Sequence, residues 1–404
     1  MNRIYFDHSA TTPLDGEVLT AMLPYFSEKF GNASSVHSFG QEAALAVDKA
    51  RRETAKFFNI SPSEVIFCSG ATEANNLALF GLIKALAKTS VARPHIITSL
   101  IEHDAILEPC KQLEAEGLAE ITYLPVNSKG LVEVDAVASS IKDNTVLVSI
   151  MYVNSEVGSI QPIKQIGRLI EKTNEQRFKT WQSLATGERL IPPLKLYFHT
   201  DATQAINFLT TDFSELKLDM LSMSAHKIYG PKGIGALLVK EAVPLLPLTL
   251  GGHHERNLRS GTLNVPGIVG LAKALEIVKR DQEKSNQQIL ELRNYFVARV
   301  KKEIPKIILN TDLDNSSPSH AHISFVGADG ESLLMALAME AGIAVSTGSA
   351  CASNSSKPSA ALLAMGYEPL AARSAIRFTF GKYNTKEEVD ELMSHLPGIV
   401  EKFR

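Results

Sequence analysis

Short runs of β-branched and other apolar residues recur along the first two thirds of the chain, separated by segments of helical length. The apolar runs lie at residues 65–67, 95–98, 145–148, 196–198 and 237–239. Between them, residues 41–58 and 74–86 place apolar side chains three or four positions apart, the spacing of helices packed on a sheet. The alternation of strand and helix predicts an α/β fold with a mostly parallel, doubly wound sheet.

The order of predicted elements changes after about residue 270. Long helical segments are followed by an alternating strand at 322–326, a further helix, an apolar strand at 375–380 and a last helix. We therefore predict two domains, a large one at residues 14–265 and a smaller α+β one built from residues 1–13 and 266–404. Residues 173–193 begin polar and end in two prolines, so we predict a surface excursion there.

Composition excludes several classes of function. The 404 residues are 45% hydrophobic with a formal net charge of −3, which suits a large core and implies neither nucleic-acid binding nor a membrane surface. The N-terminus lacks the pattern of a secretory leader, and no apolar run reaches the roughly 20 residues of a membrane span, so we expect a cytoplasmic location. Three scattered cysteines predict neither a disulfide framework nor a structural metal site.

A lysine, Lys227, follows a short apolar strand and precedes a glycine- and proline-containing turn at residues 230–233. This order places it on a loop at the carboxyl end of a strand, where ligands bind in open α/β sheets. Partial desolvation favours the neutral amine of a lysine, which can then form a Schiff base. Taken alone, a lysine beside a turn is more often an ordinary surface residue, and only its neighbours in the predicted site favour the catalytic interpretation.

Residues 69–73, Ser-Gly-Ala-Thr-Glu, leave a predicted strand and open a helix. Backbone N–H groups at the positive end of that helix, with the Thr72 hydroxyl, can enclose an anion. The segment lacks the spacing of a Walker loop. A small or hydroxyl residue before a helix is as often a simple cap, so this signal alone is weak.

Three polar residues follow two of the predicted strands. Asp201 can keep a cofactor ring nitrogen protonated, which makes the ring an electron sink, and Gln204 can reach a phenolic oxygen. Asp201 could equally cap the next helix. The imidazole of His103 can stack on a flat cofactor and transfer protons, although a lone histidine there is more often structural.

One cysteine, Cys351, lies among small polar residues at 346–357. Such a segment is typical of an exposed loop and suits a nucleophile that must move. The apolar surroundings of Cys68 and Cys110 instead indicate structural thiols. The alternative for Cys351 is an incidental loop cysteine, since protein thiols are usually buried and inert.

In the order of these motifs the chain resembles the cysteine desulfurases of the NifS and IscS type, within the fold-type I pyridoxal-phosphate enzymes. The resemblance also includes residues 5–13, 31–35 and 256–262, and it covers the chain almost end to end. It implies a large domain with a mostly parallel, seven-stranded type of sheet and a smaller domain carrying the cysteine loop. The Gly-Ser-Ala-Cys-x-Ser pattern resembles group I of the family, which relays persulfide sulfur directly.

The resemblance implies a role for each matching residue. Residues implied to contact pyridoxal 5'-phosphate are Lys227 as the Schiff-base lysine, Asp201 at the ring nitrogen, Gln204 at the phenolic oxygen, His103 stacked on the ring, Asn154 beside it, and Ala71, Thr72, Ser224 and His226 at the phosphate. Thr262 would reach the phosphate of the partner subunit's cofactor, which implies a homodimer. Asn154 and Arg377 would hold the substrate carboxylate.

The implied reaction removes sulfur from L-cysteine. Lys227 takes the Cα proton, the Cys351 thiolate attacks the substrate sulfur, and alanine leaves while Cys351 keeps a persulfide. A sulfur-acceptor protein, either an iron–sulfur scaffold or a thiolation carrier for tRNA, would then receive the sulfur. Cys351 would serve at most as a transient iron–sulfur ligand, with no other metal site implied.

Some features depart from the family pattern. Ala225 stands where glycine is usual, His253 and His254 interrupt a glycine-rich approach, and the excursion replaces a quick turn. The end at Arg404 lacks the tail of several scaffold-binding members, which counts against docking through such a tail.

Other enzymes and a non-catalytic protein are the competing interpretations. A transaminase or selenocysteine lyase would keep Lys227 and Asp201, but a transaminase has no use for Cys351. A non-catalytic dimeric scaffold would tolerate loss of all three residues, and all three are present.

Overall fold

The computed structural model describes residues 3–87, 93–184, 193–348 and 358–404. Part of the predicted excursion and the predicted catalytic Cys351 therefore lie outside the described residues. Among those that are described, no helix has both the length and the apolar character required to cross a membrane.

Strands and helices alternate through most of the described chain. The strands are β1 (Ile4–Tyr5), β2 (Val65–Cys68), β3 (His95–Ser99), β4 (Glu120–Leu124), β5 (Thr145–Ser149), β6 (Tyr197–Asp201), β7 (Met220–Ser224), β8 (Gly235–Val239), β9 (Ile307–Leu309), β10 (His320–Phe325), β11 (Ile343–Ala344) and β12 (Ala375–Thr379). The helices are α1 (Gly16–Met22), α2 (Pro24–Ser27), α3 (Ser38–Phe58), α4 (Ala71–Leu86), α5 (Asp104–Ala115), α6 (Val134–Ser140), α7 (Ile163–Leu184), α8 (Phe213–Leu216), α9 (Val265–Glu303), α10 (Gly330–Glu340), α11 (Ala360–Ala364), α12 (Pro369–Arg373) and α13 (Lys386–Lys402).

The central sheet has seven strands within the described residues, in the order β2-β8-β7-β6-β5-β3-β4. Only β8 runs antiparallel to its neighbours there, so the remaining strands end at one common edge. This confirms the predicted α/β fold with a mostly parallel sheet. Ligands bind beyond the carboxyl ends of strands in such sheets, and this edge is where the predicted site residues lie.

Successive residues of the strands face opposite sides of the sheet, as the period of two requires. Val65 and Leu238 join an apolar core formed with helices α3, α7 and α9, whereas Ile66 and Leu237 join a second core formed with α4 and α5. All of these strand residues are buried. Burial on both faces explains why the strands read as continuous apolar runs in the sequence.

A single helix links the central sheet to the smaller α+β layer. The first half of α9 packs into the core of the large sheet, and its second half packs on the smaller sheet. That smaller sheet has the order β12-β10-β9 and is antiparallel. The N-terminal strand β1 pairs in parallel with β11, which brings residues 7–12 to the boundary between the two layers.

Helix α7 is longer than the sequence indicated. Residues 173–184 of the predicted surface excursion at 173–193 continue helix α7, whereas the sequence pattern there matched neither helix nor strand. The polar side chains that interrupt the apolar pattern have partners: Asn174 exchanges hydrogen bonds of 2.8 and 2.9 Å with the backbone of Leu196, and Arg177 donates to backbone carbonyls. In this polar second half of α7, hydrogen bonds to the backbone hold the helix against the sheet.

Candidate active site

A cavity of about 760 Å³ opens at the carboxyl edge of the large sheet, against β12 of the smaller one. The walls bring together residues predicted from distant parts of the sequence. Those on the cavity wall are Ala71, Thr72, His103, Asp201, Gln204, Ser224, His226, Lys227 and Arg377.

Lys227 lies on a short 3₁₀ turn directly after β7. Its amine donates to the backbone carbonyl of Ala10 at 2.6 Å and to that of Ser9. Gln204 donates to the same Ser9 carbonyl at 2.9 Å. The backbone of the lysine loop is itself held by the N-terminal segment, since Thr12 N–H donates to the carbonyl of His226 at 2.9 Å. The lysine amine therefore has a fixed position at the mouth of the cavity.

Asp201 ends β6 and is buried. One carboxylate oxygen accepts from the Asn75 amide at 2.7 Å, and the other accepts from the backbone N–H of Thr203 at 2.9 Å. The Thr203 contact lies in a turn, and the next helix of the described chain, α8, is capped by Asp212, so the alternative of a helix cap at Asp201 was wrong; the Asn75 contact holds the carboxylate from the other side. Both donors are neutral, so the charge of Asp201 remains available to a positively charged ligand atom.

Another histidine, His199, precedes Asp201 by two residues on β6. His199 is fully buried between the hydroxyls of Ser149 and Ser222, each 2.9 Å from a ring nitrogen. Burial lowers the pKa of His199 to about 4, although the Asp201 charge acts in the opposite direction. The ring is therefore neutral near pH 7 and supports the end of β6 through hydrogen bonds.

The N-terminus of α4 forms the opposite end of the cavity. Gly70, its N-cap residue, has no side chain to satisfy the first N–H groups, which counts against the simple cap interpretation. A methyl group on Gly235 would lie 2.7 Å from Gly70 Cα, so glycine is needed for α4 to approach β8 this closely. Ser224 borders the same space, with its hydroxyl 3.6 Å from the Cβ position of residue 70.

His226 lies beside this helix terminus. Burial, together with the charges of Lys227 and Lys232, lowers the pKa of His226 to about 4. One ring nitrogen lies 3.1 Å from the Thr11 hydroxyl. A neutral imidazole, lysines and the positive end of a helix together favour an anionic group at this end of the cavity.

His103 borders the side of the cavity as the N-cap of α5. Its Nδ1 accepts from the backbone N–H of Ala105 at 3.0 Å, so the neutral ring carries its proton on Nε2. Behind it, Glu102 is buried and accepts from the Met151 N–H and the Ser99 hydroxyl. Burial raises the pKa of Glu102 to about 8, which leaves most of it neutral at pH 7.

Arg377, on β12, is buried at the remaining wall. It donates to the Asp7 carboxylate at 2.8 Å and to the backbone carbonyl of Ser155 at 3.0 Å. Within the described residues its Nε has no hydrogen-bond partner. A guanidinium with a free edge can bind a carboxylate that enters the cavity.

Two predicted residues do not line the cavity. The Asn154 side chain is buried, accepts from the backbone N–H groups of Glu156 and Val157 at 2.9 Å, and donates to the Ile101 carbonyl. Thr262 is exposed away from the cavity wall.

The structure also reveals functional residues that sequence reasoning missed. The carbonyls of Ser9 and Ala10, the Asp7 carboxylate and the Asn75 amide contact the lysine, the arginine and Asp201. The run of small and hydroxyl residues directly after β1 was the available signal. Asn75 had none, because it lies inside a helix among apolar residues.

Comparisons with known proteins agree with this geometry. The family model described as aminotransferase class-V matches residues 4–178 and 180–392. Cysteine desulfurase IscS of Dictyoglomus turgidum is 42% identical over 99% of this chain and 95% of its own length. Among solved structures, a NifS-like protein has a TM-score of 0.88 at 36% identity, with each chain covered fully. A structure described as SspA in complex with cysteine has a TM-score of 0.78 at 33% identity, covering 95% of this chain and 100% of that one.

Proposed function

The chain belongs to the aminotransferase class-V family as one of its cysteine desulfurases, and from this premise we propose how it works. It binds pyridoxal 5'-phosphate in the cavity, releases sulfur from L-cysteine as a persulfide on Cys351, and yields alanine. The observation that carries the proposal is the convergence of the Lys227 amine, the Asp201 carboxylate and the α4 N-terminus on one cavity that Arg377 closes.

The residues present fit the cofactor. The buried Thr203 hydroxyl has no hydrogen-bond partner in the described chain and borders the cavity, so a polar ligand atom is needed there. In the proposed arrangement, Lys227 would hold the cofactor at its aldehyde, Asp201 at the ring nitrogen and Gln204 at the phenolic oxygen. His103 would pack on the ring, and the residues that would hold the phosphate are Ala71, Thr72, Ser224 and His226. When bound, pyridoxal phosphate supplies an electron sink for the carbon that loses a proton.

The protein residues perform the remaining steps. Arg377 binds the carboxylate of L-cysteine through the Nε edge that its contacts with Asp7 and Ser155 leave free. With L-cysteine bound in the cavity, the Lys227 amine accepts the Cα proton of the substrate. His103 borders the same space, with its Nδ1 held by the Ala105 N–H. Water exclusion by the buried walls strengthens each of these polar contacts.

The sulfur step uses Cys351. Its thiolate attacks the substrate sulfur, a sulfur–sulfur bond forms, and the carbon–sulfur bond breaks with its electron pair left on carbon. Protonation of that carbon and return of a proton to Cα give alanine, and Cys351 keeps the sulfur as a persulfide. The other two cysteines are unsuited, because burial raises the pKa of the Cys110 thiol to about 12 and raises that of Cys68 further.

The partners extend this proposal. A homodimer would place Thr262 of each subunit at the phosphate of the other, and its exposure in the single chain supports this arrangement. Asn154 would act at the substrate carboxylate through the turn that it holds. A sulfur-acceptor protein for iron–sulfur assembly or tRNA thiolation would take the sulfur, with Cys351 as a transient iron–sulfur ligand.

Turnover of L-cysteine by the purified holoprotein tests the proposal. Alanine and sulfide are measured with a reductant present, for the unmodified protein, Lys227→Ala and Cys351→Ala, with the exposed Lys284→Ala as a matched control. We expect turnover only in the unmodified protein and the control, with the visible cofactor band retained in Cys351→Ala. Full alanine production by Cys351→Ala would rule out the persulfide route.

A further inference from the structure

One carboxyl group, that of Glu156, lies between the two ends of the segment that carries Cys351. The Ser359 hydroxyl, just beyond that segment, donates to Glu156 Oε2 at 2.5 Å. Gly348, just before the segment, packs on the same oxygen so closely that a methyl group at this position would overlap it. The Gly348 backbone before residues 349–357 and the Ser359 side chain shortly after them are therefore both in contact with Glu156.

Glu156 is itself rigidly held. Its backbone N–H donates to the buried Asn154 side chain at 2.9 Å, and Asn154 is fixed in turn by the carbonyl of Ile101. Ser359, on the other side, also accepts from the Leu362 N–H at 3.1 Å, which orients its hydroxyl proton toward the carboxyl group. The Glu156 contact thus joins two fixed elements and is not a flexible surface pair.

The same turn supports the substrate side of the cavity. The carbonyl of Ser155, next to Glu156, accepts from Arg377 at 3.0 Å and from the Ser9 hydroxyl at 2.7 Å. Arg377 closes the cavity, and the Ser9 carbonyl accepts from the Lys227 amine. A displacement of Glu156 would therefore change the position of the cysteine segment relative to the groups that hold substrate.

The buried surroundings of Glu156 disfavour the charged form of its carboxyl group. Burial raises its pKa to about 7, against the opposing effects of the Ser359 hydrogen bond and the charges of Arg377 and His103, with Asp104 adding to the increase. The Nε2 of His322, buried 3.3 Å from the Cβ position of residue 348, has no hydrogen-bond partner in the described part of the chain. An apolar side chain would avoid the desolvation cost but could not accept from Ser359.

We propose that Glu156 is a positioning residue for the cysteine nucleophile: by holding Gly348 and Ser359 it sets where the Cys351 segment leaves and rejoins the fold. The inference rests on the proposed role of Cys351 in the reaction. Glu156 acts through backbone position and takes no part in the chemistry. Misplacing a reacting group by about 1 Å is enough to slow a step on the order of 100-fold.

Steady-state kinetics of the holoenzyme test this role. Two variants, Glu156→Ala and Ser359→Ala, each remove one partner of the contact, whereas Glu156→Gln keeps an oxygen that accepts from Ser359. The control is Glu340→Ala, which removes an exposed carboxylate elsewhere. We expect kcat for L-cysteine to fall roughly 10- to 100-fold in Glu156→Ala, with less change in KM. Ser359→Ala should lose kcat in the same direction, and Glu156→Gln should recover most of it.

The outcomes separate positioning from a general structural role. The proposal would be overturned if Glu156→Ala weakened cofactor binding, lowered thermal stability and raised KM as much as it lowered kcat, and Glu156→Gln restored none of these. Glu156 would then have only a general structural role. Unchanged kcat in both Glu156→Ala and Ser359→Ala would also overturn the proposal. Cys351→Ala is measured alongside: if it is inactive while the Glu156 variants are normal, this inference alone fails. If Cys351→Ala is fully active, the proposed function fails and this inference with it.

Discussion

Arg377 and Ser346 exchange both of their backbone hydrogen bonds, at 2.7 Å from Arg377 to Ser346 and 3.2 Å in the reverse direction. This isolated antiparallel bridge joins the strand that carries the cavity arginine to the start of the segment that carries Cys351. The arginine proposed to bind the substrate and the residues just before the proposed nucleophile therefore share one backbone contact. Substrate binding and sulfur transfer are, on this account, coupled by position in the fold.

Replacing the arginine tests the substrate end of that pair. Arg377→Lys keeps a positive charge but loses the planar fork that contacts Asp7 and Ser155. We expect KM for L-cysteine to rise about 10- to 100-fold, the loss of roughly 1.4 to 2.8 kcal/mol of binding, while the cofactor spectrum stays unchanged. The exposed pair formed by Arg299 supplies the control, since Arg299→Lys should leave KM at its original value. An unchanged KM in Arg377→Lys would contradict the assignment.

Neutralising the buried carboxylate tests the cofactor end. Asp201→Asn keeps the shape of the side chain, and its one amide oxygen can still accept from either Asn75 or Thr203. Loss of the charge removes the stabilisation of a protonated ring nitrogen, so we expect kcat to fall by about 100-fold or more with little change in the melting temperature. Kinetics and calorimetry on the same samples decide this. A large fall in stability with normal kcat would indicate that Asp201 is only a cap.

The close approach of Gly235 to Gly70 predicts an effect on the anion site. Gly235→Ala would place a methyl group 2.7 Å from Gly70 Cα and force the α4 N-terminus away from β8. We expect weaker cofactor binding and a loss of about 1 to 3 kcal/mol in the free energy of unfolding. Gly398→Ala is the matched control, because a methyl group there meets no atom within 4 Å and alanine favours the interior of a helix. Equal behaviour of the two variants would contradict the account.

Glu102 gives the protein a specific pH dependence. Burial raises its pKa from 4.5 to about 8, so between those values the native chain holds a proton that the unfolded chain has released. Stability then decreases as pH rises through this window. Glu102→Gln cannot titrate. The free energy of unfolding in urea should therefore fall across the window by on the order of a few kcal/mol more in the unmodified protein than in the variant. Parallel pH curves for the two proteins would show that Glu102 is ionised in the native state.

The sequence predicted the α/β class and most cavity residues because both depend on local order. Asp201 is the last residue of a strand, and Lys227 and His103 lie in the turns that follow strands. Parallel strands end at one edge of the sheet, which brings these residues together. The small and hydroxyl residues after β1 signal a functional segment, but the contact of Ser9 with Lys227 does not follow from them, since it depends on the pairing of β1 with β11 across more than three hundred residues.

Two further differences have physical causes. Helix α7 continues through a polar segment because Asn174 and Arg177 bind backbone groups of neighbouring strands, and hydrophobic periodicity does not detect such contacts. The turn-forming role of Asn154 was equally hidden, because its partners are backbone N–H groups two and three residues later. Prediction from apolar patterns is therefore least accurate for the contacts that polar side chains make with nearby backbone.

Mass spectrometry of the holoprotein after brief exposure to L-cysteine, without reductant, tests the central claim most directly. The account predicts one added sulfur atom on the peptide that contains Cys351, equal release of alanine, and loss of both in Cys351→Ala. Cys68 and Cys110, which are buried, serve as internal controls and should stay unmodified. Alanine release without sulfur on Cys351, or sulfur on either buried cysteine instead, would contradict the account.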